Sequence, residues 1–222
     1  MTCAFAPQDL DLSGNEISGP LPRDVFAACE VLETLNLSDN PRMKSLPEGG
    51  FTGQFSALFQ LDLSYTGLVR LGDDSFLGMD HLSILNLQSN KLVELGAGVL
   101  RRLPQLITLD LSENSIEALD SKAFQTNGFL RHLDLSRNPL TAVSPQLFAG
   151  TPYLRWLDLS HCQLTSLWDK PTPGAGQGAD RVTLLRKLGH LNVANNSIKT
   201  LRVRDVSLFT ALVGSPIFVL NV

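Results

Sequence analysis

Three cysteines among 222 residues are too few for a framework of paired bridges. Aromatic residues are sparse at 7%, and no run of about eighteen apolar residues is present, so no segment of this chain reads as a membrane-spanning helix. Neither sign of charge dominates: the formal net charge is −4 and the pI near 5.5, without the basic footprint that nucleic acid requires. The first seven residues, Met1 to Pro7, lack the basic and apolar regions of a secretory signal. The four histidines, His81, His132, His161 and His190, are too widely separated for the tight ligand spacing of a zinc site, so no metal is expected. Gly174-Ala175-Gly176-Gln177-Gly178 is a glycine run in a proline-bounded stretch, with no following helix and lysine to cradle a phosphate. No cofactor is expected.

Leucine, by contrast, returns in phase. The stretch Leu106 to Ile116 reads L-x-x-L-x-L-x-x-N-x-I, and the same pattern starts at Leu32, Leu58, Leu82, Leu106, Leu130, Leu154 and Leu188, at steps of 26, 24, 24, 24, 24 and 34 residues. A fixed period of this length marks a solenoid, one continuous core built by stacking. A degenerate first repeat has Pro7 in the first position, followed by Leu10, Leu12, Asn15 and Ile17. The 34-residue step contains residues 169–180, DKPTPGAGQGAD, which neither helix nor strand tolerates and which is expected to be a mobile, protease-sensitive loop. Ile217, Leu220 and Val222 fit the first, fourth and sixth positions of a ninth strand. Residues 1–222 therefore read as a single array of about eight repeats plus a truncated ninth strand, without cysteine-rich caps, and as a piece of a longer protein. Cys3 and Cys29 fall four and three residues before their repeats begin, and are expected to be spatial neighbours, either bonded or, the favoured reading, as free thiols.

Within each repeat, alternate residues of a short strand face opposite sides. The fourth and sixth positions should fill the core and the strands pair in parallel. The turn that follows buries backbone groups that no sheet can satisfy, and an asparagine side chain carries both a donor and an acceptor for them. That is the reason for a ladder of Asn15, Asn40, Asn90, Asn114, Asn138 and Asn196, interrupted by Thr66 and Cys162. A phenylalanine recurs eighteen residues after the first leucine as Phe76, Phe124 and Phe148, with Leu100 in its place once. Phe26 and Phe51 hold the same place one residue later, and the rings should stack into a spine behind the sheet.

The chain resembles extracellular leucine-rich repeat proteins of the typical 24-residue class, as in Toll-like receptor and related receptor ectodomains, over about residues 7 to 222. The resemblance implies an α/β solenoid, a right-handed horseshoe with a concave parallel sheet and a convex side of irregular, 3-10 or short helical segments. It further implies a binding module at the cell surface or in a secreted protein that takes a protein or other macromolecular ligand, with roles in signal transduction or innate immunity. Membrane attachment would come only through a segment absent from this chain. The missing signal and unpaired cysteines favour an alternative, an intracellular scaffold. Asn15 to Pro22 is similar to the N-x-L-x-G-x-I-P signature of plant receptor repeats, a third reading resting on one repeat.

On the concave face, the residues between the leucines carry the candidate site. Arg131 and Arg155 share the second position, His132 and Trp156 the third, Arg137 and His161 the eighth. Neighbouring strands lie about 4.8 Å apart, so these six should form one basic and aromatic ligand-binding patch beside Asp134 and Asp158. Serine, histidine and aspartate occur together as in a hydrolytic triad, but L-D-L-S recurs in repeat after repeat and marks a structural ladder, so no enzyme is expected. Two sequons, at Asn36 and Asn195, offer exposed glycosylation candidates.

Overall fold

The computed structural model describes residues 7–51, 55–168, 185–201, 205 and 219–221. Cys3, the 169–180 insertion, Ile217 and Val222 lie outside them. Among the described residues there are eleven strands: β1 (Asp9–Asp11), β2 (Thr34–Asn36), β3 (Gln60–Asp62), β4 (Ile84–Asn86), β5 (Glu94–Leu95), β6 (Thr108–Asp110), β7 (Ala118–Leu119), β8 (His132–Asp134), β9 (Trp156–Asp158), β10 (His190–Asn192) and β11 (Val219–Asn221). Nine of them form one parallel sheet in the order β1-β2-β3-β4-β6-β8-β9-β10-β11. The register never slips: Leu85 pairs with Leu109, Leu109 with Leu133, and Leu133 with Leu157. Each strand of this nine-stranded sheet is only three residues long, from the third to the fifth position of the repeat, with the fourth-position leucine buried in β2, β3, β4, β6, β8, β9 and β10.

One core runs the length of the array. Leu32, Leu58, Leu82, Leu106, Leu130, Leu154 and Leu188 are buried, as are the fourth- and sixth-position side chains that follow them. Behind the sheet the chain returns through turns, a 3-10 turn at Pro145–Phe148 capped by Ser144, and a two-stranded parallel sheet of β5 and β7. The aromatic spine has two members beyond those read from the period. Phe55 packs edge-on to Phe51 at 5.3 Å between centroids, and Trp168 closes the far end against Phe148 at 6.3 Å.

The asparagine ladder is a repeated four-bond device. Asn114 donates Nδ2 to Leu87 O, Leu111 O and Ser112 O, and its Oδ1 accepts from Leu92 N–H in the preceding repeat. Asn90 and Asn138 do the same one repeat earlier and later, and Asn40 and Asn196 near the ends. Asn15, in the first repeat, is exposed and bonds only its own turn.

Cys162 occupies a ladder position with a buried, free thiol that makes only long contacts, 3.5 Å to Leu135 O and 3.7 Å to Ser160 O. Burial pushes this thiol up to about 11, which makes it a poor nucleophile. Cys162→Asn should therefore restore the missing bonds and stabilise the array by about 1–2 kcal/mol, at about 0.5–1.5 for each net hydrogen bond. An increased urea midpoint would show it. Cys29 is also a free thiol, half-buried against the core.

Candidate functional site

The fifth position of every repeat is Asp or Asn, and in the structure it builds the turn that ends the strand. Its Oδ1 accepts the N–H two residues on: Ser13 on Asp11, Ser38 on Asn36, Ser64 on Asp62, Ser112 on Asp110, Ser136 on Asp134, Ser160 on Asp158. A short carboxylate or amide that mimics a backbone turn in this way is an Asx turn. The seventh-position serines Ser64, Ser112, Ser136 and Ser160 are buried in that turn. L-D-L-S is thus explained by backbone geometry. Those serines are buried and take no part in the open concave surface.

The eighth position is different again. Asp39, Tyr65, Ser89, Glu113, Arg137, His161 and Asn195 all have φ between 53° and 57°, and Gly14 stands at the same place in the first repeat. The chain takes a left-handed residue there, just before the ladder position, to leave the strand. Arg137 and His161 therefore sit in the turn. Arg137 pairs with Glu113 at 3.6 Å, and His161 Nε2 lies 3.1 Å from Asn195 Nδ2. The expected six-residue patch divides into two: these turn residues, and a group on the strands.

On the strands, the third positions of β8, β9 and β10 align His132, Trp156 and His190 in one row. The Trp156 and His190 rings stack with centroids 5.5 Å apart and planes 6° from parallel. His190 belongs to the row because it lies two residues after Leu188, as His132 lies two after Leu130, so the repeat phase marks it although the expected patch omitted it. Arg131 and Arg155, one residue earlier, are exposed, and neither is ion-paired to Asp134 or Asp158. Exposed Phe129 and Tyr153 lie two residues before them, and Lys187 reaches over the Tyr153 ring at 5.9 Å. Thr108, Leu109, Asp110, His132, Asp134 and Trp156 line an open concavity of about 590 Å³.

Asp110, Asp134 and Asp158 run side by side along the fifth positions of β6, β8 and β9. Elsewhere the row is relieved by asparagine. Asn86 donates to Asp62 Oδ2 at 3.1 Å and Asn192 to Asp158 Oδ2 at 2.8 Å. Asp110 and Asp134 are each followed by another aspartate and gain no such amide. Burial raises the Asp134 carboxyl to about 6; the Ser136 bonds oppose the shift, and Asp110 and Asp158 add to it. At the exposed end of the same row, the Ser13 hydroxyl and N–H hold Asp11 below the usual range.

A folded-state value above the unfolded one means that the native chain keeps a proton the unfolded chain has released. Stability is thus lost as pH rises from near 4 to about 6, and the loss is complete above that. Asp134→Asn should remove the penalty. Each tenfold change in proton affinity is worth about 1.4 kcal/mol, and contact with water at the half-buried carboxylate reduces the total, so the gain at pH 7 should be about 2 kcal/mol. At pH 4 the variant should gain almost nothing. Urea titrations at the two pH values measure the difference.

Asn36 is half-buried in β2 with its Oδ1 bound to Ser38 N–H, so the expectation of an exposed sequon is corrected there; Asn195 is exposed.

A leucine rich repeat family model matches residues 56–116 and again 104–164, and a second leucine rich repeat model matches residues 7–27. The chain belongs to the leucine-rich repeat family. No curated protein matches it. Among solved structures, the Leptospira interrogans leucine-rich repeat protein LIC12759 is 26% identical with a TM-score of 0.71, over 90% of this chain and 46% of that one. Mouse RP105, in complex with MD-1, is 25% identical with a TM-score of 0.70, over 87% of this chain and 31% of its own. TLR13, in complex with ssRNA13, is 26% identical with a TM-score of 0.61, over 84% and 28%. This leucine-rich repeat chain thus resembles Toll-like receptor ectodomains and spans less than half the length of each of these three solved chains. No helix among its described residues is long and apolar enough to cross a membrane, and no group of them is fit to hold a metal. The fold is typically an interaction scaffold.

Proposed function

We propose that the chain is the binding portion of a cell-surface or secreted leucine-rich repeat protein, not an enzyme, and that it engages a protein ligand on the concave face of repeats six to eight. The observation that carries this reading is the half-exposed Trp156, stacked on His190 and flanked by His132, Arg131 and Arg155. Tryptophan and arginine are enriched at binding hot spots. Arg137 and His161 form a rim beyond the strands, and Asn195 is the exposed site for a glycan. The likeness to RP105 and TLR13 supports an extracellular location and a receptor role. Single-stranded RNA, present in the TLR13 complex, is disfavoured here because Asp110 and Asp134 line the concavity beside Trp156.

The test is to probe an array of extracellular proteins and RNA oligonucleotides with the chain, then measure each binder against Trp156→Ala and Arg131→Glu. Loss of a protein binder with both variants, while circular dichroism and Glu33→Arg in repeat two leave fold and affinity unchanged, supports the proposal. Binders unaffected by either variant, or binding of RNA alone, overturn it.

A further inference from the structure

We infer that the concavity between β6 and β9 is an arginine-reading pocket: Asp110 and Asp134 receive the guanidinium of a partner protein's arginine while the Trp156 ring covers its flat face. The inference rests on the binding role proposed above and specifies the chemistry of the partner. It starts from an irregularity in the fifth-position row. Asp62 and Asp158 each have their outer oxygen taken by an asparagine amide from the next strand, at 3.1 and 2.8 Å. Asp110 and Asp134 lack that donor, because aspartate follows aspartate. Their inner oxygens are already committed to the N–H groups of Ser112 and Ser136. Two carboxylates on adjacent strands are thus left one donor short each, in the wall of a concavity of about 590 Å³.

Neither outer oxygen is sealed from solvent, so a cationic donor entering the open concavity can replace water on both. Like charges on neighbouring strands destabilise a sheet, and a cation between them reverses the sign of that interaction. A guanidinium fits better than an ammonium for two reasons. Its rigid planar fork can give separate N–H donors to two acceptors, and strands about 4.8 Å apart place the acceptors within its span. Its face also stacks on an indole, and the Trp156 ring is held in place by its parallel stack on His190. Arg131 and Arg155 do not line the concavity; they are exposed at the strand entrance. The burial that raises Asp134 also means that the pocket binds a cation with less competition from water.

The probe is the capped peptide Ac-Gly-Arg-Gly-NH2, titrated into the full 222-residue chain at pH 7.5, and read by the indole N–H resonances of the two tryptophans. Trp168, buried in the spine, is the internal reference, and Trp156→Phe assigns the signals. The Trp156 resonance should shift and saturate. The uncharged citrulline peptide, equal in shape, and the lysine peptide should bind at least tenfold more weakly. The Asp110→Asn/Asp134→Asn double variant should lose the response yet remain folded, since Asn36, Asn86 and Asn192 occupy the same position. Equal shifts with citrulline or lysine, or a response retained in the double variant, overturn the inference. Failure of the parent reading looks different: there the arginine peptide still moves Trp156 while protein binders ignore Trp156→Ala. A protein binder lost with Trp156→Ala, with no response to the arginine peptide, leaves the binding role standing and removes the arginine pocket.

Discussion

Asn114→Leu is expected to destabilise the array by about 3–5 kcal/mol, and the bonding pattern says where that loss arises. Not all of the four bonds become orphans. Leu87 O keeps a bond from Asn90, Leu111 O keeps one from Asn138, and Ser112 O keeps the N–H of Ser89. Only Leu92 N–H is left buried with no partner, because Asn114 Oδ1 is its acceptor. An unsatisfied buried donor costs about 1–3 kcal/mol, and the weakening of three shared carbonyls adds roughly 0.5–1 each. Asn114→Asp separates the parts. It keeps the acceptor for Leu92 but places a carboxylate against three carbonyl oxygens, so it should be at least as damaging as leucine. Urea denaturation followed by far-UV circular dichroism gives both values. Amide exchange at Leu92 locates the effect, and should accelerate in the leucine variant before the outer repeats respond, since repeats couple chiefly to their neighbours. An equal acceleration across all repeats would show instead that the array unfolds as one unit.

What the amino-acid order discloses depends on whether a feature repeats. The fourth- and sixth-position leucines recur at a constant interval, so strand placement and register follow from counting. Trp156 and His132 are visible in the same way, two residues after a first-position leucine. His190 has the same phase, counted from Leu188, but only the pairing of β10 with β9 across the 34-residue step shows that it stands beside Trp156. The left-handed eighth position is hidden for another reason. It is filled by Asp, Tyr, Ser, Glu, Arg, His and Asn in turn, and a backbone requirement met by seven residue types leaves no compositional mark except Gly14. Counting alone therefore sets Arg137 and His161 on the strand surface, where the chain has already turned away. The Asx turn is legible in part, since Asp or Asn at every fifth position signals a side chain used by the backbone. Which carboxylates remain without an amide depends on order between repeats, Asp-Asn against Asp-Asp, and only pairing of the strands makes that comparison possible. Asn127 is a further omission: buried where neighbouring repeats carry Leu103 and Thr151, it donates to Leu100 O and Leu103 O, while its Oδ1 has no partner.

Phe124→Ala should cost about 3–5 kcal/mol, the range for deleting a buried ring where the surroundings cannot close over the space. The ring is fully buried and stacks on Phe148 at 6.5 Å with planes 6° apart. Collapse is blocked from behind the sheet. A Cβ added at Gly150 would come within 2.3 Å of Phe124 O, so the two returning segments already touch backbone to backbone. They cannot move closer to fill a void. The array supplies its own control in Leu100, which holds the equivalent place one repeat earlier and is equally buried. Phe124→Leu should therefore cost much less, about 1–2 kcal/mol, because a γ-branched side chain fills most of the volume in a position built to accept either. Thermal and urea unfolding of the two variants rank them. If leucine proved as costly as alanine, ring stacking along the spine would be the dominant contribution; the larger gap expected here assigns the stability to filled volume, which explains how Leu100 can interrupt the phenylalanines without interrupting the fold.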